Sequence, residues 1–394
     1  MFPVVMVYLL VWGSVAAGAA EGETSTKAAP IDVATLTDKD LERFVAYLER
    51  EALPPVDYVV GTFRVHDIVI LGEMHEVPEN LAFITGLIDP LYRRAGVRCL
   101  ATEFLRQRNT ARANRIVTAP EYDEAAVVDL YRDFAWTWGF REYMDVFKAI
   151  WELNHSLSPE AERFRVVGLD LELEEYDVQR ASDDQRAAVT QRLMARDAYM
   201  AETFTKDAMT GGGKVLLHTG YVHSFTRYRQ PVVVDGKLVR ESEPRMGILL
   251  AMKYGTKVFQ ICLHQWHFGP EVVNGGEPSP REPLGGLIER AIAARQNQPV
   301  GFDVDGSPFA NLRDRESYYF AYQDQVVFSD LAQGYVFLKP LKELGRCTWV
   351  SGFITPANFE KAHGIALQRG WIRGDECRTP EELDRKLQGL LGKN

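Results

Sequence analysis

The chain has 394 residues, 46% of them hydrophobic and 11% aromatic, with a formal charge of −10 and a pI near 5.4. That apolar content fills the core of one large or two ordinary globular domains and excludes a disordered, collagen-like or coiled-coil chain. Lys and Arg are scattered rather than clustered, so the electrostatic footprint of a DNA- or RNA-binding protein is missing and nucleic acid is not an expected partner.

Residues 2–20 carry no charge and end in small residues. An apolar run before an Ala-x-Ala-like site reads as a secretory signal peptide over 1–20, with Ala17-Gly18-Ala19 or Val15-Ala16-Ala17 before the cut. No Lys or Arg precedes the run, and its length is marginal against the roughly 20 apolar residues a spanning helix needs. Export to a periplasmic or secreted location is the expectation, and a retained N-terminal anchor is the alternative. No Cys lies near the cut, which excludes a lipoprotein anchor, and no later uncharged run is long enough to span a membrane.

Residues 21–35 are small and polar, as in a flexible mature N-terminus. Thr37 and Asp40 then form a capping pair ahead of an amphipathic stripe, Leu41, Phe44, Val45 and Leu48. Buried strands are expected at Asp67–Gly72, Val97–Glu103, Phe164–Asp170, Val215–His218 and Lys257–Leu263. Helical patterns separate them: Leu81–Arg94, a segment around Asp145–Asn154, and a long helix opened by a Ser182/Gln185 capping box and stopped at Gly211–Gly213. Strands alternating with helices predict an α/β fold, a mainly parallel sheet flanked by helices, with ligands outside the carboxyl ends of the strands.

Residues 268–286 are rich in Gly and Pro and read as a lid or binding loop. Thr355-Pro356 and Thr379-Pro380 each read as an N-cap followed by Pro at the first helical position, giving a small helical appendage over 346–394. Cys99 and Cys262 sit in apolar runs as buried free thiols. Cys347 and Cys377 could pair in an oxidising compartment. The absence of Cys-x-x-Cys argues against a zinc knuckle or a thioredoxin-like motif.

Five of the eight histidines, His75, His218, His223, His264 and His267, fall at or just after strand ends. Glu73, Glu103, Asp170 and Glu172 join them. His and Glu converging on one rim of a sheet are what acid–base work or metal ligation requires. The segments 68–76 and 215–224 also echo each other: each is an apolar strand followed by Gly-x-x-His, at Gly72–His75 and Gly220–His223. Glycine with positive φ would let each His turn back over its strand end. His218 either joins the site or supports a neighbour. His264-Gln265-Trp266-His267 has the i, i+3 spacing of a metal pair but lies beside the loop. The string His75-Glu76-Val77-Pro78-Glu79 is not half of a zincin helix, because Pro78 does not fit a helix interior.

Taken together, these residues resemble a superfamily that joins erythromycin esterases, ChaN-like haem-uptake proteins and the TIKI proteases. The motifs that carry the resemblance are Gly72-Glu73-Met74-His75, then Glu103, then Arg196-Asp197-Ala198-Tyr199-Met200, then Gly220-Tyr221-Val222-His223. Trp136–Asp170 is similar to the esterase branch, while the Glu-x-His spacing is that of the ChaN-like and TIKI-like branches. The likeness covers roughly residues 65–340, within a domain placed at 36–345.

The resemblance implies a hydrolase of ester or amide bonds acting on a small-molecule or peptide substrate. His75 or His223 would be the general base on water, because imidazole titrates near neutral pH. Glu73 or Glu103 would fix its tautomer, and Arg196 would hold a substrate carboxylate or the developing oxyanion. The TIKI branch implies a variant in which His75, Glu103 and His223 ligate a divalent zinc, manganese or cobalt ion. The ChaN branch implies a haem- or iron-binding protein without catalysis, with Tyr221 or His223 as axial ligand. No Gly-x-Ser-x-Gly elbow occurs, so a serine hydrolase is not expected.

Overall fold

The apolar runs assemble into one sheet in the computed structural model, which describes residues 29–134, 137–172, 182–274 and 276–392. The expected signal peptide and most of the 21–35 segment lie outside these residues. Helix α1 (Asp38–Glu51) opens on the Thr37/Asp40 capping box and buries Phe44, Tyr47 and Leu48. Strand β1 (Ile68–Glu73) is buried throughout. Helix α2 begins at Pro78, which takes the first helical position, and runs to Pro90. Strand β2 (Val97–Arg106) continues three residues beyond the expected Glu103 and shifts register between Thr102 and Arg106. Helix α3 (Arg141–Ser156) leads to strand β3 (Arg165–Asp170).

The long helix expected from Ser182 is broken. Helix α4 (Asp183–Met194) opens on the Ser182/Gln185 capping box, but Ala195 leaves helical geometry and helix α5 (Arg196–Thr203) starts anew. Burial explains the break. Among its described side chains α4 buries none, whereas α5 buries Asp197, Met200 and Ala201 against the sheet. The kink therefore turns Arg196 and Asp197 inward.

Strand β4 (Lys214–Gly220) runs into a single helical turn, α6 (Tyr221–Ser224). Helix α7 (Met246–Tyr254), strand β5 (Val258–Leu263), strand β6 (Val300–Asp303) and strand β7 (Gly334–Phe337) follow. Helices α8 (Phe359–Gln368) and α9 (Pro380–Leu391) close the chain. The seven-stranded sheet has the order β6-β7-β5-β1-β4-β2-β3, parallel except for β6 on its edge. Both faces are covered, as a parallel sheet requires. Val69, Leu71, Leu100 and Leu216 face one apolar cluster, and Ile68, Ile70, Ala101, Val215 and Leu217 face the other.

Other expectations change in detail. The described residues of the 268–286 segment form short elements, with Pro280–Arg281 paired to His267–Phe268, and bury Val272, Val273 and Leu284. Apolar side chains at those positions draw the segment onto the core instead of leaving it as an open lid. Regular helix α8 starts at Phe359, and Thr355 caps the turn ahead of it: its backbone N–H donates to Asn358 Oδ1 at 2.6 Å and its carbonyl accepts from the Phe359 N–H at 2.9 Å. Thr379 caps α9 as expected. The C-terminal helices share the core around α2 and α3 through Ala362, Leu383 and Leu387. All four cysteines are free, Cys347 fully buried in that core and Cys377 partly exposed.

Candidate active site

Strand alternation divides the site between the two faces of the sheet, since successive side chains point to opposite sides. Glu73 and His218 share the face of Leu71 and Leu216. Glu103 and Thr219 share the face of Ala101 and Leu217. All four lie near the carboxyl ends of β1, β2 and β4, where the βαβ topology places a ligand.

On the first face Glu73 is 1% exposed. Its Oε2 accepts from His218 Nε2 at 2.8 Å, and its Oε1 accepts from the Tyr143 hydroxyl at 2.6 Å. Tyr143 comes from α3 and also accepts from the Glu76 backbone N–H at 3.1 Å. Burial works to raise the Glu73 carboxyl, but the His218 imidazole and hydrogen bonds from His218 and His75 bring it below its ordinary value, so it is an anion. Past the strand end, His75 turns its Nδ1 toward Glu73 Oε1 at 3.3 Å. Its ring stands edge-on to Phe104 and Trp138, with centroids 5.3 and 5.5 Å away. The His75 side chain is 41% exposed, against 3% for His218 and 10% for His223. Of these three imidazoles, His75 is the one a substrate can reach. Desolvation in the cleft pulls its pKa down, yet the Glu73 hydrogen bond and the charges of Glu103 and Glu73 leave it raised above 6.5.

On the second face Glu103, 3% exposed, accepts at Oε2 from Thr219 Oγ1 at 2.7 Å and from the Gly220 backbone N–H at 2.8 Å. Its Oε1 accepts from Arg196 Nη2 at 2.8 Å. Burial opposes its charge, but His223, Arg196 and His75 hold the carboxyl well below the usual range. Arg196 Nε donates to Asp170 Oδ1 at 2.7 Å, and its Nη1 lies 3.2 Å from His223 Nε2. His223 Nδ1 meets Asp197 Oδ1 at 2.7 Å.

The two halves meet at Gly220. A Cβ there would lie 2.5 Å from His75 Cε1 and 3.4 Å from Glu103 Oε2. Neither Gly72 nor Gly220 has the positive φ that the motif predicts. They are needed for the missing side chain instead: Gly220 seats His75, and a Cβ on Gly72 would strike Ser224 Oγ at 2.3 Å, blocking α6 from β1. The positive φ falls at Glu76, at 64°, where the chain turns toward α2.

Every residue expected in the catalytic set, Glu73, His75, Glu103, Arg196 and His223, belongs to this cluster, with Asp170 and His218. Glu172 lies off it, paired with Arg108 at 2.7 Å. His264 and His267 do not join it. His264 is sealed between Tyr335 and Glu289, and His267 is fully buried beside Ser317 with its pKa driven down to about 3 by burial. Sequence reasoning missed Tyr143, Thr219, Trp138 and Arg245. Thr219 alone carried a signal, since it lies between His218 and Gly220 in the echoed strand.

The residues do not fit a metal. Among the described residues no three His, Cys, Asp or Glu side chains are placed to hold one. The guanidinium of Arg196 occupies the gap between Glu103 and His223, and a permanent cation there repels a second. The haem ligand atoms do not fit either. Both ring nitrogens of His223 are engaged, and the Tyr221 hydroxyl is sealed in the core against Cys262.

No protein-family model and no curated protein matches the chain. Solved structures do. A Bacillus cereus protein solved by structural genomics aligns with a TM-score of 0.50 and 12% identity, over 76% of this chain and 97% of its own. A succinoglycan biosynthesis protein aligns with a TM-score of 0.50 and 12% identity, over 77% and 98%. A mutant of the erythromycin esterase EreC in its open conformation aligns with a TM-score of 0.50 and 13% identity, over 73% and 93%. At such identities the likeness speaks for architecture. The chain has the α/β fold of erythromycin esterase EreC, and this chain carries a buried His/Glu network of its own at the carboxyl ends of the strands.

Proposed function

We propose that the chain is a hydrolase of ester or amide bonds, acting on a small-molecule or peptide substrate, with His75 as the general base on water. The observation that carries this reading is the reachable imidazole of His75, hydrogen-bonded through Nδ1 to the buried Glu73 carboxylate. An anion at Nδ1 keeps the proton on that nitrogen and leaves the Nε2 lone pair free, which is the state a base needs. Tyr143 and His218 hydrogen-bond Glu73 at both oxygens, so the imidazole is oriented by a carboxylate that is itself held in place. Charge on His75 during proton transfer is offset by Glu73 and Glu103. Arg196, fixed by Glu103 and Asp170 and 22% exposed, adds positive charge near the oxygen that becomes negative.

One protein of this fold is an erythromycin esterase, which supports ester chemistry on the scaffold. The uncharged apolar leader supports action outside the cytoplasm. Aromatic walls at Phe104 and Trp138 favour an apolar group next to the scissile bond. The test is a panel of aryl and alkyl esters and amides, assayed with the wild type and with His75→Ala as the background. Turnover by the wild type that is lost in His75→Ala supports the assignment. A panel that neither protein hydrolyses, or both hydrolyse equally, overturns it.

A further inference from the structure

One buried carboxylate of the site has no part in the proposed chemistry. Asp197, 7% exposed, accepts at Oδ1 from His223 Nδ1 at 2.7 Å and from the Met246 backbone N–H at 2.8 Å. Its Oδ2 accepts from Arg245 Nη1 at 3.1 Å. Arg245 is braced in turn, with Nε and Nη2 donating to Gln230 Oε1 at 3.1 and 2.6 Å. The carboxylate therefore cannot rotate without losing bonds at both oxygens.

The other ring nitrogen settles where the His223 proton sits. Arg196 Nη1 lies 3.2 Å from His223 Nε2, and Glu103 Oε1 lies at 3.6 Å, beyond hydrogen-bond range. A guanidinium has donors only and does not deprotonate. His223 Nε2 must then offer its lone pair, and the single ring proton must be on Nδ1, facing Asp197.

We infer that Asp197 is a positioning residue that fixes His223 as the neutral Nδ1–H tautomer, so that Nε2 accepts from Arg196 and holds the guanidinium against Glu103. In the opposite tautomer two N–H groups would face each other across 3.2 Å and push Arg196 out of place. His223 is thereby an acceptor for Arg196 and not a second base. The consequence for turnover rests on the hydrolase reading; the tautomer does not.

The experiment uses the full chain labelled with 15N-histidine, and long-range proton–nitrogen spectra near neutral pH show which ring nitrogen of His223 carries the proton. The resonance is assigned by its loss in His223→Gln. The wild type should show a protonated Nδ1 and a bare Nε2. Asp197→Ala should lose that signature, whereas Asp197→Asn, whose amide oxygen still accepts from Nδ1, should keep it. On an aryl ester, Asp197→Ala should lower kcat roughly 100-fold through displacement of the Arg196 guanidinium, with KM nearly unchanged and Asp197→Asn recovering most of the loss. A protonated Nε2 in the wild type, or an unchanged spectrum in Asp197→Ala, overturns the inference. If Asp197→Ala does not fold, the wild-type and Asp197→Asn spectra decide it. An ester left intact by the wild type counts against the hydrolase reading, while the spectrum still decides the tautomer.

Discussion

His75 sits directly on Gly220, so closely that a single added methyl group at Gly220 would lie 2.5 Å from His75 Cε1 and 2.9 Å from Nε2. The end of β4 is thus a seat for a side chain from the end of β1. Gly220→Ala must displace the imidazole, and a ring that is 41% exposed can swing into solvent without unfolding anything. The expected outcome is a loss of roughly 100-fold in kcat from misplacement of the base. Stability should change by less than about 1 kcal/mol, read from urea unfolding.

Protonation of His75 sets the acid limb of the pH–rate profile. A base works in its neutral form, so a pKa raised above 6.5 by Glu73 and Glu103 places the limb at higher pH than an ordinary histidine would. Rate should rise with pH through a midpoint above 6.5 in the wild type. Glu73→Gln keeps an acceptor for Nδ1 but removes the charge, so the midpoint should move down. An unmoved midpoint in Glu73→Gln would show that another group titrates.

Tyr143 ties α3 to the site with one hydroxyl, donating to Glu73 and accepting from the Glu76 N–H. Tyr143→Phe leaves both partners short of a bond in a buried place. Such losses cost about 1–3 kcal/mol, and urea unfolding should show a destabilisation of that size.

Asp197 contributes to acid stability with a definite sign. Burial opposes its charge, but His223, Arg245 and the Met246 N–H depress its carboxyl from 3.8 to about 2. A depressed carboxyl stabilises the fold above its unfolded value, and that contribution is lost as pH falls toward about 2. The stability gap between wild type and Asp197→Asn should therefore be present above pH 3.8 and shrink as pH drops from there toward about 2. A gap that stays constant with pH would show that Asp197 is not the group responsible.

The strands were legible because a parallel sheet buried on both faces needs short continuous apolar runs, and Ile68–Leu71, Cys99–Ala101 and Val215–Leu217 are such runs. Capping boxes at Thr37/Asp40 and Ser182/Gln185 were legible because a cap is a local bond between residues three apart. Glu73, His75, Glu103 and His223 could be assembled from strand ends and the echoed Gly-x-x-His, while Arg196, which lies within a helix, came in only with the family resemblance.

What could not be read is what depends on contacts across the fold. The partners of Glu73 and Asp197 include Tyr143, 70 residues away, and Arg245, 48 away, with no spacing to announce them. The kink at Ala195 follows from which helix face meets the sheet, not from a Gly or Pro. The sequence pattern of Gly72 and Gly220 suggests conformational freedom, while their use is to leave room for Ser224 and His75. His264 and His267 fell near strand ends by count, but burial against Tyr335 and Ser317 separates them from the cleft.

The most direct test of the central claim is chemical rescue of His75→Ala. The vacated site opens to solvent, so free imidazole can enter beside Glu73 and Gly220. Ester turnover should be lost in His75→Ala and should return in proportion to added imidazole, with no such response in the wild type. A His75→Ala protein that turns over the ester at the wild-type rate without imidazole would contradict the role of His75 as the base.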